Sequence, residues 1–250
     1  MPGSRGRPLP SCSQIYCCNK LLATRNFSGR SNPLPSGAVA GAPYTSRPGE
    51  TRARGRKRIA GVLLAPGAGG SADSPAIVVL AEALTATGVV VERMDFPYRL
   101  AGRRRPDPAG TLEAAVRERA TALADRLGVG TGELVLGGRS MGGRICSQVT
   151  AAGLPSAGLL LVSYPLHPPG RPDRLRTAHF PDLRVPCLFV SGTRDAFGTR
   201  EELETAAASI PGRVHHVWIE GGDHALRRRD GAAAEAAARW LAASFVLPSP

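Results

Sequence analysis

Read for the spacing of its apolar residues, the chain changes character at Ile59. Before that point no apolar period is sustained; after it, short apolar runs alternate with longer stretches of helical spacing. "IAGVLLA" (59–65) is the first run and ends in the glycine-rich loop Pro66-Gly-Ala-Gly-Gly70. The next segment sets Ile77, Leu80, Ala81 and Leu84 on one helical face. Ser74 reads as its N-cap, Pro75 as the first helical position and Gly88 as its close. "VVVERM" (89–94) follows as a strand, and Thr111 opens a second helix with Leu112, Val116, Leu123 and Leu127 in register up to Gly128.

The alternation continues to the end. "ELVLGG" (133–138) reads as a strand leading into the helix "RICSQVTAAG"; "AGLLLVS" (157–163), "VPCLFVSG" (185–192) and "VHHVWIEGG" (214–222) are three more strands. A capping box at Thr199-Arg-Glu-Glu202 starts a helix between the last two. The final helix is expected from about Gly231 to Val246, anchored by Trp240, Leu241 and Phe245. Apolar strands separated by helices specify a parallel sheet covered on both faces. The expected architecture is therefore α/β: one domain over 59–250, a parallel sheet of about six strands, and little or no cap.

Composition changes the picture at the front of the chain. Residues 1–58 hold seven Pro, seven Gly and seven Ser. Such a segment cannot bury enough surface to offset its ordering entropy, so a disordered tail is expected. It also explains the charge. The net +12 divides into +10 for residues 1–58, with 11 Lys+Arg against Glu50, and +2 for the remainder. A nearly neutral body is not a phosphate-tracking surface. For the basic tail three readings stay open: a targeting arm, a nucleic-acid-binding arm, or an extension without function.

No stretch approaches the roughly 20 apolar residues of a membrane span, and no apolar secretory signal is seen at the start. The five cysteines are odd in number, and Cys12, Cys17 and Cys18 cluster in the tail, which argues against a disulfide framework. A reducing, cytoplasmic compartment is expected.

Chemistry concentrates where the strands end, which in a parallel sheet is the carboxyl edge. Gly138-Arg-Ser140-Met-Gly142 matches G-x-S-x-G, a strand-to-helix elbow that holds a serine hydroxyl exposed while flanking glycines avoid collision. A serine needs a base, and the base an orienting carboxylate. Asp195 lies just beyond the strand "LFVSG" and His224 in the loop after the last strand, giving the order Ser…Asp…His. The N–H of Met141 and one from the Ala68-Gly69 loop are the expected oxyanion donors.

"LLAPGAGG", "MDFPYR", "GGRSMGGR", "SYPLHPPGRP", "LFVSGTRDAFG" and "GGDH" together resemble the α/β-hydrolase-like family related to dienelactone hydrolases. Within it they resemble the branch of testis-expressed protein 30 and subunit 3 of the NSL chromatin complex. The resemblance spans about residues 59–246. It implies an α/β-hydrolase fold with Ser140, Asp195 and His224 as the triad, and names no substrate, since the branch includes complex subunits. Where lipase-type oxyanion loops read His-Gly-Gly-Gly, this chain has Pro66-Gly-Ala-Gly69.

The same residues admit other readings. Asp95 and Asp223 are rival acids but fit the triad order less well. Gly67-x-Gly69-x-x-Ala72, with Glu92 about 20 residues on, matches a dinucleotide fingerprint, yet a nucleotide gives no reason for the elbow, Asp195 and His224. His215 and His216 point to opposite faces of a strand and cannot easily share a metal; one is expected buried and the other solvated. His167 and His179 lie in a Pro- and Arg-rich connection (164–184) that could overhang the site. Arg99, Arg103 to Arg105, Arg139, Arg144 and Arg194 could favour an anionic substrate, but in a body whose every cationic residue is Arg each reads first as a surface charge. Arg139 and Arg194, beside triad members, are the candidate substrate contacts. Cys146 reads as core.

The expected function is a serine hydrolase acting on an ester or related acyl bond of a small molecule, without metal or cofactor. A hydrolase-fold interaction scaffold with an idle triad is the competing class.

Overall fold

The computed structural model describes residues 55–248; the expectations for residues 1–54 lie outside them. The elements are β1 (Lys57–Arg58), β2 (Gly61–Ala65), α1 (Pro75–Thr85), β3 (Val90–Arg93), α2 (Pro97–Leu100), α3 (Ala109–Leu127) and β4 (Leu134–Arg139). They continue with α4 (Met141–Ala151), β5 (Gly158–Val162), β6 (Cys187–Gly192), α5 (Arg200–Ala207), β7 (Val214–Ile219), α6 (Asp230–Ser244) and β8 (Phe245–Val246). Six strands form one sheet in the order β3-β2-β4-β5-β6-β7, every neighbouring pair parallel. This is the expected α/β architecture.

Both faces of the sheet are covered because its strands are apolar on both. On one side Val62, Leu64, Leu160 and Leu188 meet Ile77, Leu80 and Leu84 of α1 and Trp240 and Leu241 of α6. Ala81 of α1 and Ala233, Ala234 and Ala237 of α6 are buried with them, and residues this small let the two helices lie close. On the other side Leu63, Leu136, Leu161 and Phe189 meet Val116 and Leu123 of α3 and Ile145 and Val149 of α4. Each fully buried Leu, Ile or Phe contributes about 1.5–3 kcal/mol of transfer free energy, so these two layers carry the fold.

Some boundaries differ from expectation. Ser74 holds the N-cap position of α1, but its hydroxyl accepts the Ser71 N–H at 2.8 Å and caps no helical N–H. The capping box at Thr199 and Glu202 forms as expected. The last helix stops at Ser244 because Phe245 turns extended (φ −130°, ψ 161°) and pairs in parallel with Lys57 while Val246 pairs with Arg58. Two residues assigned to the tail thereby belong to the folded body. The 163–186 connection contains no long helix; Tyr164, Leu166, Phe180 and Leu183 pin it into the α3–α4 side of the core. No helix among the described residues is long and apolar enough to cross a membrane.

Candidate active site

The elbow is built by close approach. Gly138 has φ 147° and Gly142 lies in the first turn of α4; a Cβ on Gly138 would stand 1.9 Å, and one on Gly142 2.1 Å, from the Ala65 carbonyl oxygen. Only a residue without a side chain lets β4 and α4 meet β2 this closely. Between them Ser140 is held at φ 51°, ψ −118°, a strained conformation for a residue with a Cβ. Its N–H donates to the Val162 carbonyl at 2.8 Å, which ties the turn to β5.

Three residues distant in sequence converge there. Ser140 Oγ lies 2.9 Å from His224 Nε2. His224 Nδ1 lies 2.8 Å from Asp195 Oδ2 and 3.0 Å from Oδ1. Asp195 is 6% exposed, and its Oδ1 also accepts the Phe197 N–H at 2.8 Å. The carboxylate thus caps its own loop and faces the imidazole at once. Phe197 stacks on His224 with ring centroids 3.9 Å apart, a contact no sequence signal announces.

The Gly-rich loop sits against the elbow, since a Cβ on Gly67 would be 3.5 Å from Ser140 Cβ. In the Ala68-Gly69 loop, from which one donor was expected, the Gly69 N–H is given to the Tyr98 hydroxyl at 3.1 Å. The N–H groups of Ala68 and Met141 donate to no protein acceptor among the described residues. The loop is braced further by Asp95, whose Oδ1 accepts the Ala72 N–H at 2.9 Å, and by Arg93, which donates to the Ala72 carbonyl at 2.8 Å. Asp95 is therefore a loop brace, and Asp223 is exposed, its carboxylate meeting no partner among the described residues. Tyr98 is fully buried and was not singled out in the sequence.

Arg139, a candidate substrate contact, donates through Nη2 to the His224 carbonyl at 2.7 Å, fixing the loop that carries the imidazole. Arg194 is exposed and turns toward Gly221. Glu92, the acid of the dinucleotide reading, pairs with Arg119 and Arg126 of α3. His215 is buried, and His216 stacks between Phe189 and Trp218, so neither is freely solvated; burial lowers the pKa of both. Among the described residues no group of three or more His, Cys, Asp or Glu side chains is placed to hold a metal.

A second serine–histidine contact exists, Ser147 Oγ to His179 Nε2 at 2.8 Å. It lacks what the first has. Ser147 is fully buried inside α4 and donates back to the Arg144 carbonyl at 2.7 Å, a common helix-interior bond. Burial, with Arg144 nearby, lowers the His179 pKa to about 4, and among the described residues no carboxylate hydrogen-bonds the ring. Cys146 and Cys187 are buried thiols whose pKa values burial pushes up to about 12, which removes them as nucleophiles.

A doubly covered parallel sheet with a Ser–His–Asp line at its carboxyl edge defines the α/β hydrolase class. A family model described as "Alpha/beta hydrolase domain" matches residues 58–245, and the chain belongs to that family. Among solved structures, an alpha-beta serine hydrolase homologue from Coxiella burnetii matches with TM-score 0.62 at 20% identity, over 75% of this chain and 88% of its own. Est1E from Butyrivibrio proteoclasticus, bound to ferulic acid, matches with TM-score 0.64 at 14% identity, over 75% and 90%. Dienelactone hydrolase from Anabaena variabilis matches with TM-score 0.61 at 20% identity, over 76% and 88%. At such identities the likeness is one of fold.

Proposed function

We propose that this protein is a serine hydrolase cleaving a carboxylic ester or related acyl bond through an acyl-enzyme. The observation that carries the reading is the unbroken line from Ser140 Oγ through both nitrogens of His224 to Asp195. Ser140 attacks the acyl carbon while His224 Nε2 takes its proton and then delivers it to the leaving group. Asp195 holds the Nδ1–H tautomer and stabilises the imidazolium. The N–H groups of Met141 and Ala68 receive the oxyanion, and water activated by His224 releases the acyl group.

Every group this chemistry uses belongs to the chain, so the reading asks for no cofactor. The substrate is a small acyl compound, and the protein acts in the cytoplasm. Within the family we place the chain in the branch of testis-expressed protein 30 and subunit 3 of the NSL chromatin complex, on the motifs "MDFPYR", "GGRSMGGR" and "SYPLHPPGRP".

The test is labelling of the purified full chain by a fluorophosphonate probe. Labelling of the wild type, lost in Ser140→Ala and in His224→Ala, is the expected result. A well-folded wild type that takes no label overturns the reading and leaves an interaction scaffold in its place.

A further inference from the structure

We infer that Arg194 and Arg229 form a binding site for a phosphate-type oxyanion at the loops following β6 and β7. Those loops enclose a cavity of about 310 Å³ lined by Arg194, Gly221, Asp223, Arg227 and Arg229. Two guanidinium groups converge within it. Nη2 of Arg194 lies 3.0 Å, and Nη2 of Arg229 3.1 Å, from the point where a Cβ on Gly221 would stand. The two nitrogens are thus no more than about 6 Å apart, a span one tetrahedral oxyanion bridges with a charge-assisted hydrogen bond to each.

The site is held open rather than filled. Gly221 has φ 64° and is fixed by its N–H bond to Thr193 Oγ1 at 2.9 Å. Arg229 is oriented from behind, its Nε donating to the Glu220 carbonyl at 3.1 Å, which leaves Nη2 facing the cavity. Leu226 and Arg228, with φ 48° and 60°, turn the chain so that Arg227 and Arg229 share one side. Like charges brought this close call for an anion between them. Arg194, Arg227 and Arg229 meet no carboxylate among the described residues, so their charge is free for a ligand.

The charge balance selects the ligand. Three guanidiniums against the Asp223 carboxylate leave two net positive charges in the lining, which matches a phosphate dianion better than a single carboxylate. Arg194 precedes Asp195 and Asp223 precedes His224, so a bound phosphate stands at the two loops that carry those residues. It is borne either by the substrate or by a free ion.

Calorimetric titration of the full chain with inorganic phosphate, at ionic strength held constant with chloride, tests the site without any need for turnover. Arg194→Gln and Arg229→Gln should each weaken binding about tenfold or more. Gly221→Asn, which tolerates the left-handed backbone but fills the cradle, should do the same. Arg104→Gln/Arg105→Gln, on exposed residues outside the cavity, should bind as the wild type. A wild type that binds no phosphate, or pair variants indistinguishable from that control, overturns the proposal. Phosphate that slows fluorophosphonate labelling of the wild type, but not of Arg194→Gln, marks a substrate-borne group; labelling unchanged alongside measurable binding marks a free ion.

Discussion

The hydroxyl of Tyr98 accepts the N–H of Gly69 at 3.1 Å across 29 positions of sequence, and this bond pins the glycine loop beside the elbow. Tyr98→Phe keeps the buried ring beside Phe96 but removes the acceptor. On the proposed chemistry, kcat for an activated ester should fall about tenfold with KM nearly unchanged, since the loop serves the transition state more than the bound substrate. Steady-state kinetics beside a melting curve separate this from loss of fold; an unchanged kcat would sink the role given to the loop.

Arg139 predicts a second effect, also through position. Its bond to the His224 carbonyl holds the imidazole loop, so Arg139→Met should slow fluorophosphonate labelling about tenfold while leaving near-native stability. Labelling at the wild-type rate would show that Phe197 and Asp195 suffice to place His224.

Gly142 and Gly110 make a contrasting pair. Gly142→Ala drives a Cβ to 2.1 Å from the Ala65 oxygen and 2.6 Å from that of Pro66, both backbone atoms. A loss of about 3 kcal/mol or more is expected. A Cβ on Gly110, within α3, meets nothing within 4 Å, so Gly110→Ala should be neutral or gain up to about 1 kcal/mol. Urea denaturation midpoints decide both.

His179 predicts a pH dependence. Burial lowers its pKa from 6.5 to about 4, so the unfolded chain binds this proton more readily than the folded one. Its stabilisation is full above pH 6.5 and is lost progressively as the pH falls toward 4. His179→Gln, which can still bond Ser147, should flatten the fall in stability across that window. Denaturation midpoints at several pH values check it, and parallel curves would contradict it.

The sheet was legible because each strand is a short apolar run bounded by turn residues, and a parallel sheet leaves such runs few alternatives. Ser140, Asp195 and His224 were legible as positions because each follows a strand directly, and strand ends share one edge. Arg139 and Tyr98 were not legible in their contacts. Which way a side chain beside the elbow turns, and where the short helix α2 drops its tyrosine, follow from packing between elements rather than from spacing. The end of α6 failed for a related reason: Phe245 fits the helical period, yet its ring meets Trp240 edge-on while its backbone leaves the helix to pair with Lys57.

That pairing closes the chain on itself. With Lys57 beside Phe245 and Arg58 beside Val246, the two ends of the described domain lie together, one short connection before β2 begins. β2 then runs toward Ala65 and the elbow, so the joined ends occupy the pole opposite Ser140. The domain is in effect a loop of chain with a seam far from its chemistry. It can be opened elsewhere and sealed at the seam, or carried within a larger protein, with the serine's rim left untouched.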